Sequence, residues 1–109
     1  MKTASEILDL LEENMRAQAV PIAQGVLGIL FRDPHDGALI VNYVWAEREG
    51  AGDVGRWLDA LPAELTVRVI AVTSDRLAGM LARRGYKHCH VLTPSGDRWC
   101  PAYVRRGRR

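Results

Sequence analysis

Apolar positions along the chain change period several times, and each change marks an element. Thr3-Ala4-Ser5-Glu6 places a hydroxyl and a carboxylate three residues apart, the pattern that satisfies the first orphan amides of a helix. Ile7, Leu8, Leu11, Met15 and Ala19 then recur at helical spacing, with Asp9, Glu12, Glu13 and Arg16 opposite; Pro21 ends this predicted helix. Ile22 to Phe31 reads as one strand and Asp33-Pro34-His35-Asp36-Gly37 as a turn. Ala38 to Trp45 is apolar on both faces except at Asn42, which predicts a central strand covered on two sides.

A short helix from Val54 to Leu61 stops at Pro62, and Leu65 to Val72 reads as a second buried strand rich in β-branched residues. Ser74 caps another helix with the stripe Leu77, Met80 and Leu81. Gly85 ends it, with Tyr86 folding back on Leu81. Lys87 to Leu92 and Arg98 to Val104 form a hairpin around Thr93-Pro94-Ser95-Gly96-Asp97. The order is helix, hairpin, helix, strand, helix, hairpin. The expected fold class is therefore α/β: a mixed, mostly antiparallel sheet holding one central parallel strand–helix–strand unit, with helices on both faces.

A chain of 109 residues supports a single domain, read as residues 1–104, followed by a basic tail at 105–109. The formal net charge is +2, and Arg105, Arg106, Arg108 and Arg109 account for more than all of it. Such a tail fits either solvation or sequence-independent contact with nucleic acid phosphates. No apolar run approaches the roughly 20 residues of a membrane span. The acidic, amphipathic start does not read as a signal peptide, and two cysteines fit free thiols in a reducing, cytoplasmic setting. His88, Cys89, His90 and Cys100 invite a metal reading. On the predicted hairpin Cys89 points away from the histidines and Cys100 lies near His90, so at most three ligands converge and no metal is expected.

Chemistry concentrates in the three-glycine turn Gly50-Ala51-Gly52-Asp53-Val54-Gly55, which leaves a strand and opens a helix. Backbone N–H groups and a helix N-terminus then converge on one spot, which suits an anion such as a phosphate. Glu47, Glu49 and Asp53 place negative charge there, and Arg48 and Arg56 offset part of it. Asp53 also fits a purely structural role as a cap or first-turn acid.

With strand, glycine turn, helix, strand and the stretch SDRLAGMLARRGY in place, the region from Gly37 to Val104 resembles the GCN5-related N-acetyltransferases. The resemblance implies acetyl-coenzyme A as cofactor. Its pantetheine arm would pair with Val44, Trp45 and Ala46, and its pyrophosphate would lie on Gly50, Ala51, Gly52, Asp53, Val54, Gly55 and Arg56, with Ser74 at the family's asparagine position. It implies a small-molecule or protein amine as acceptor. The brevity of the chain is similar to small bacteriophage-encoded members of the family, some virion-associated. The family's usual proton-donating tyrosine falls on Leu81, so Tyr43 and Tyr86 are the candidate phenols, with His35 in the turn before the first strand. An inactive relative acting as a binding protein or in virion assembly is the alternative. Trp45, Trp57 and Trp99 suit the core or a homo-oligomer contact.

Overall fold

A computed structural model describes residues 19–48, 50–70, 72, 74–93 and 96–108. The helix expected from Thr3, with its capping box, lies outside the described residues. Within them the chain forms a mixed α/β fold: six strands, β1 (Val20–Ala23), β2 (Val26–Arg32), β3 (Leu39–Ala46), β4 (Val67–Ile70), β5 (Lys87–Leu92) and β6 (Trp99–Arg105), and two helices, α1 (Asp53–Ala60) and α2 (Asp75–Arg83). They form one sheet in the order β1-β2-β3-β4-β6-β5. Only β3 and β4 run parallel, joined through α1; every other pair is antiparallel.

The run from Ile22 to Phe31 is two strands, not one. A turn at Gln24 and Gly25 folds β1 back on β2, and Gly25 takes a φ of 75°, a conformation that favours glycine. Pro21 sits in β1 at the sheet's edge, where a missing N–H is tolerated. The second parallel strand is shorter than expected, with Leu65 and Thr66 still in the connection from α1.

Val26, Val41, Val67 and Val69 supply the sheet's share of the core, against Trp57 and Leu58 of α1 and Leu81 of α2. The two helices touch each other: a Cβ on Gly55 would lie 2.8 Å from a terminal nitrogen of Arg84 and 3.6 Å from Met80 Cε. Arg84 also donates to Asp59 across the helix pair at 2.8 Å. Both described helices therefore cover the same face of the sheet; the third expected helix, on which helices on both faces would depend, lies outside the described residues.

Helix α2 ends as its sequence dictates. Ser74 Oγ accepts from the N–H of Leu77 at 3.1 Å. At the other end Gly85 adopts φ 82° while the N–H groups of Gly85 and Tyr86 donate to Ala82 and Leu81. That is a Schellman close, and it delivers Tyr86 into the core.

The C-terminal arginines do not form a separate tail. Arg105 is the last residue of β6, and its guanidinium donates to the carbonyls of Pro62 (2.7 Å) and Leu65 (3.0 Å). The N–H of Gly107 donates to Thr66 Oγ1 and that of Arg108 to the carbonyl of Ala63. Residues 105–108 are thus fastened along the connection between α1 and β4; Arg109 lies outside the described residues.

Candidate functional site

The register of β3 creates the site. Opposite β2, Ile29 faces Tyr43 and Leu30 faces Val41, so Asn42 is an extra, bulged residue. The parallel pairing with β4 ends at the same place, after Leu39↔Val67, Ile40↔Arg68 and Val41↔Val69. A bulge bends its strand and increases the local twist. Here it falls where the strand pairing ends: beyond Val41 no further residue of β3 pairs with β4 among the described residues. It also shifts the alternation by one, so Val44 joins the core on the helix side while Tyr43 does not.

A cavity of about 370 Å³ lies beyond that point. Val44, Trp45 and Ala46 form one wall, Gly50, Gly52, Asp53 and Val54 the end, and Ser74, Leu77 and Met80 of α2 the opposite wall, with Arg48 and Arg76 also lining it. Eight of the eleven residues expected to hold a cofactor are thus brought together. The other three stand aside: Ala51 does not reach the cavity, Gly55 packs between α1 and α2, and Arg56 turns onto Asp53.

The glycine turn ends with Gly52 as N-cap of α1 at φ 75° and ψ 13°, and no side chain caps the helix. The amides of Asp53, Val54 and Gly55 open the first turn and have no intrahelical acceptor. Asp53 is a first-turn acid rather than the cap, and it is buried, at 6 % exposure. Its carboxylate ion-pairs with Arg48 at 3.3 Å and with Arg56. It also packs against the β1–β2 turn, where a side chain on Gly25 would overlap Asp53 Oδ2. The acidity that argued against an anion here is therefore largely internal: two guanidiniums meet one carboxylate. Glu47 is exposed and does not line the cavity, and Glu49 lies outside the described residues.

The candidate proton donors lie elsewhere. Tyr86 is 4 % exposed at the far end of α2, and its hydroxyl has no hydrogen-bond partner among the described residues. Burial holds its pKa above the ordinary tyrosine value, outweighing the opposing charges of Arg105 and Arg84. Tyr43 does not line the cavity, and His35 sits exposed in the turn before β3, its main-chain N–H donating to Asp33 Oδ1. Leu81 is wholly buried in the core.

The hairpin register also breaks the histidine–cysteine arrangement. Cys100 pairs with Val91 and Cys89 with Ala102, so Cys100 shares the face of Cys89 rather than that of His90. His88 instead packs on Tyr103 at 5.0 Å between ring centroids, and no group of three metal-binding side chains occurs among the described residues. Of the tryptophans, Trp57 is core, Trp45 lines the cavity, and Trp99 stands 66 % exposed opposite Leu92. No helix among the described residues is long and apolar enough to cross a membrane.

Arg48, Arg76, Leu77 and Met80 are the lining residues that sequence reasoning did not assign to the site. Leu77 and Met80 were visible only as a helical stripe, which a core face and a cavity wall share equally. No protein family, no curated protein and no solved structure matches the chain.

Proposed function

We propose that the chain binds acetyl-coenzyme A in the cavity beside β3 and acts as a small N-acetyltransferase of the GCN5-related type on an amine. The observation that carries this reading is the bulge at Asn42, where the β3–β4 pairing stops among the described residues and beyond which a cavity lies between the end of β3 and α2. The sheet order, with one parallel pair among antiparallel neighbours, and the order of strand, glycine turn, helix, strand, helix and hairpin support it.

The residues fit the cofactor part by part. The stretch of β3 at residues 44–46, which walls the cavity, suits an extended arm carrying amides, added like a short strand. The first-turn amides of α1, with Arg48 nearby, suit the diphosphate. A volume of about 370 Å³ suits the arm and diphosphate rather than the whole cofactor. The cofactor contributes an activated acyl thioester. The protein contributes placement: the acyl carbon is held where an amine can reach it, and orientation alone removes much of a transfer barrier.

A second reading, an inactive relative that binds the cofactor without transferring its acyl group, is favoured by the lining. Tyr43, Tyr86 and His35 all stand away from the cavity, Ser74 is used as a helix cap, and Asp53 is held by two arginines.

The test is thermal unfolding with acetyl-coenzyme A. At about 100 times Kd the ligand adds ~2.7 kcal/mol, a rise of roughly 10 °C for a domain near this size. Gly52→Asp puts a charged side chain at the turn and, at positive φ, costs about 1 kcal/mol in the free protein. It should abolish most of the rise. No rise at millimolar cofactor sinks the proposal, and a rise without release of thiol on any amine favours the second reading.

A further inference from the structure

The arginine run that looked like a free tail lies along the rim of a groove at the opposite end of the sheet from the cavity. The groove, of about 1220 Å³, is bounded by Thr66 and Arg68 at the start of β4, by Arg84 and Lys87 after α2, and by residues 104–108. It lies by the starts of the parallel strands, whereas the cavity lies beyond their ends.

Its charge is one-sided. Arg68 is balanced by Asp33 and Asp36, and Arg84 by Asp59. Lys87, Arg105, Arg106 and Arg108 have no carboxylate partner among the described residues. Arg105 is committed to two backbone carbonyls, which leaves its charge uncompensated, and its Nε is buried without a partner. Lys87, Arg106 and Arg108 are exposed. The whole chain carries only +2, so this end holds a local excess of cations beyond the average for the molecule.

The arginines are also held in place. Hydrogen bonds from Gly107 to Thr66 and from Arg108 to Ala63 fix the backbone that presents Arg106 and Arg108. A Cβ on Gly107 would overlap the carbonyl oxygen of Glu64, so the two segments are in close main-chain contact. A merely solvated terminus needs no such fastening.

We infer that this groove binds the phosphate backbone of nucleic acid without reading sequence. Its lining holds the imidazole of His90 but no phenylalanine, tyrosine or tryptophan, so bases have no platform of successive rings to stack on, and no helix projects from it into a groove of the duplex. Guanidinium forks match phosphate oxygens, and a duplex returns its condensed counterions to solution when its phosphates are neutralised. An acidic peptide lacks that gain and would need apolar anchors, for which the groove offers only Ala63, Cys89, Val91 and Val104.

The experiment is fluorescence anisotropy of the full chain with a short DNA duplex of mixed sequence, over a range of salt. Three phosphate contacts from Lys87, Arg106 and Arg108 give a slope of log K on log salt of about −2.7, or roughly a 40-fold loss between about 50 and 200 mM salt. Arg106→Ser with Arg108→Ser should lower the slope by about 2. Arg83→Ser with Arg98→Ser removes the same charge from exposed positions outside the groove and should leave the slope unchanged. Gly107→Ala, which keeps every charge but displaces the segment, should also weaken binding. No binding at low salt overturns the inference, as does an equal loss in the Arg83/Arg98 control. Tighter capture of a polyglutamate chain than of the duplex also overturns it, in favour of an acidic protein.

Discussion

Asp53→Asn should move stability and cofactor affinity in opposite directions. Asp53 is nearly inaccessible, yet both its partners, Arg48 and Arg56, are largely exposed. Removing its charge therefore strands no buried cation; the two guanidiniums simply gain water. The loss is the charge-assisted hydrogen bonding, roughly 1.5–3 kcal/mol, together with about 0.5 kcal/mol from a first-turn acid on the helix dipole. Exposure of the arginines argues for the lower end, so about 2 kcal/mol and a fall of roughly 8 °C in Tm are expected. For the ligand the sign reverses. A carboxylate about 6 Å from a phosphate charge repels it by roughly 3 kcal/mol at an effective dielectric of ~20, and salt reduces this to about 1 kcal/mol. Calorimetric titration should show acetyl-coenzyme A binding to Asp53→Asn about fivefold more tightly, with no gain for pantetheine, which lacks the diphosphate. Equal gains for both ligands, or weaker binding by a folded variant, would refute a diphosphate seat at the head of α1.

Two further outcomes test groups away from the cavity. Tyr86→Phe removes a buried hydroxyl that has no partner among the described residues, so stability should rise by up to about 1 kcal/mol in chemical denaturation, with cofactor binding untouched; lost binding would show that Tyr86 belongs to the site. The N–H of Ala38 and the guanidinium of Arg68 hold Asp36 below the usual carboxylate pKa. Its folded-state pKa is depressed, so its stabilisation is present above about pH 4 and is lost as pH falls through the folded value. Asp36→Asn should remove that part of the acid transition, worth about 0.5 kcal/mol at so exposed a pair, and an unchanged acid profile would contradict the assignment.

What could be read from the sequence followed local rules. The apolar run from Ala38 to Trp45, polar only at Asn42, announced a strand inside the sheet, Ser74 announced a helix start, and Gly85-Tyr86 announced both a helix stop and a buried phenol. The turn at Gly25 was hidden because only two residues separate apolar runs that read as continuous. Asn42 was noticed only as a polar interruption; that it is a bulge depends on the spacing of partners on β2 and β4, which no single strand encodes. The placement of the site followed from that bulge, so the residues of one wall could be named while the face of Tyr43 could not. The arginines misled for a related reason. A guanidinium's usual place is solvent, and the carbonyls of Pro62 and Leu65 that hold Arg105 become acceptors only once the α1–β4 connection has its shape.

The claim at the centre is that the gap beside β3 receives a thioester arm with its diphosphate at the mouth of α1. Amide chemical shifts of isotope-labelled protein titrated with acetyl-coenzyme A address it residue by residue. The account predicts the largest changes at Val44, Trp45, Ala46, Gly52, Val54 and Leu77, with little change at Lys87 or Gly107. Saturable shifts confined to the groove around Lys87 and Gly107, or none anywhere at millimolar ligand, would contradict it.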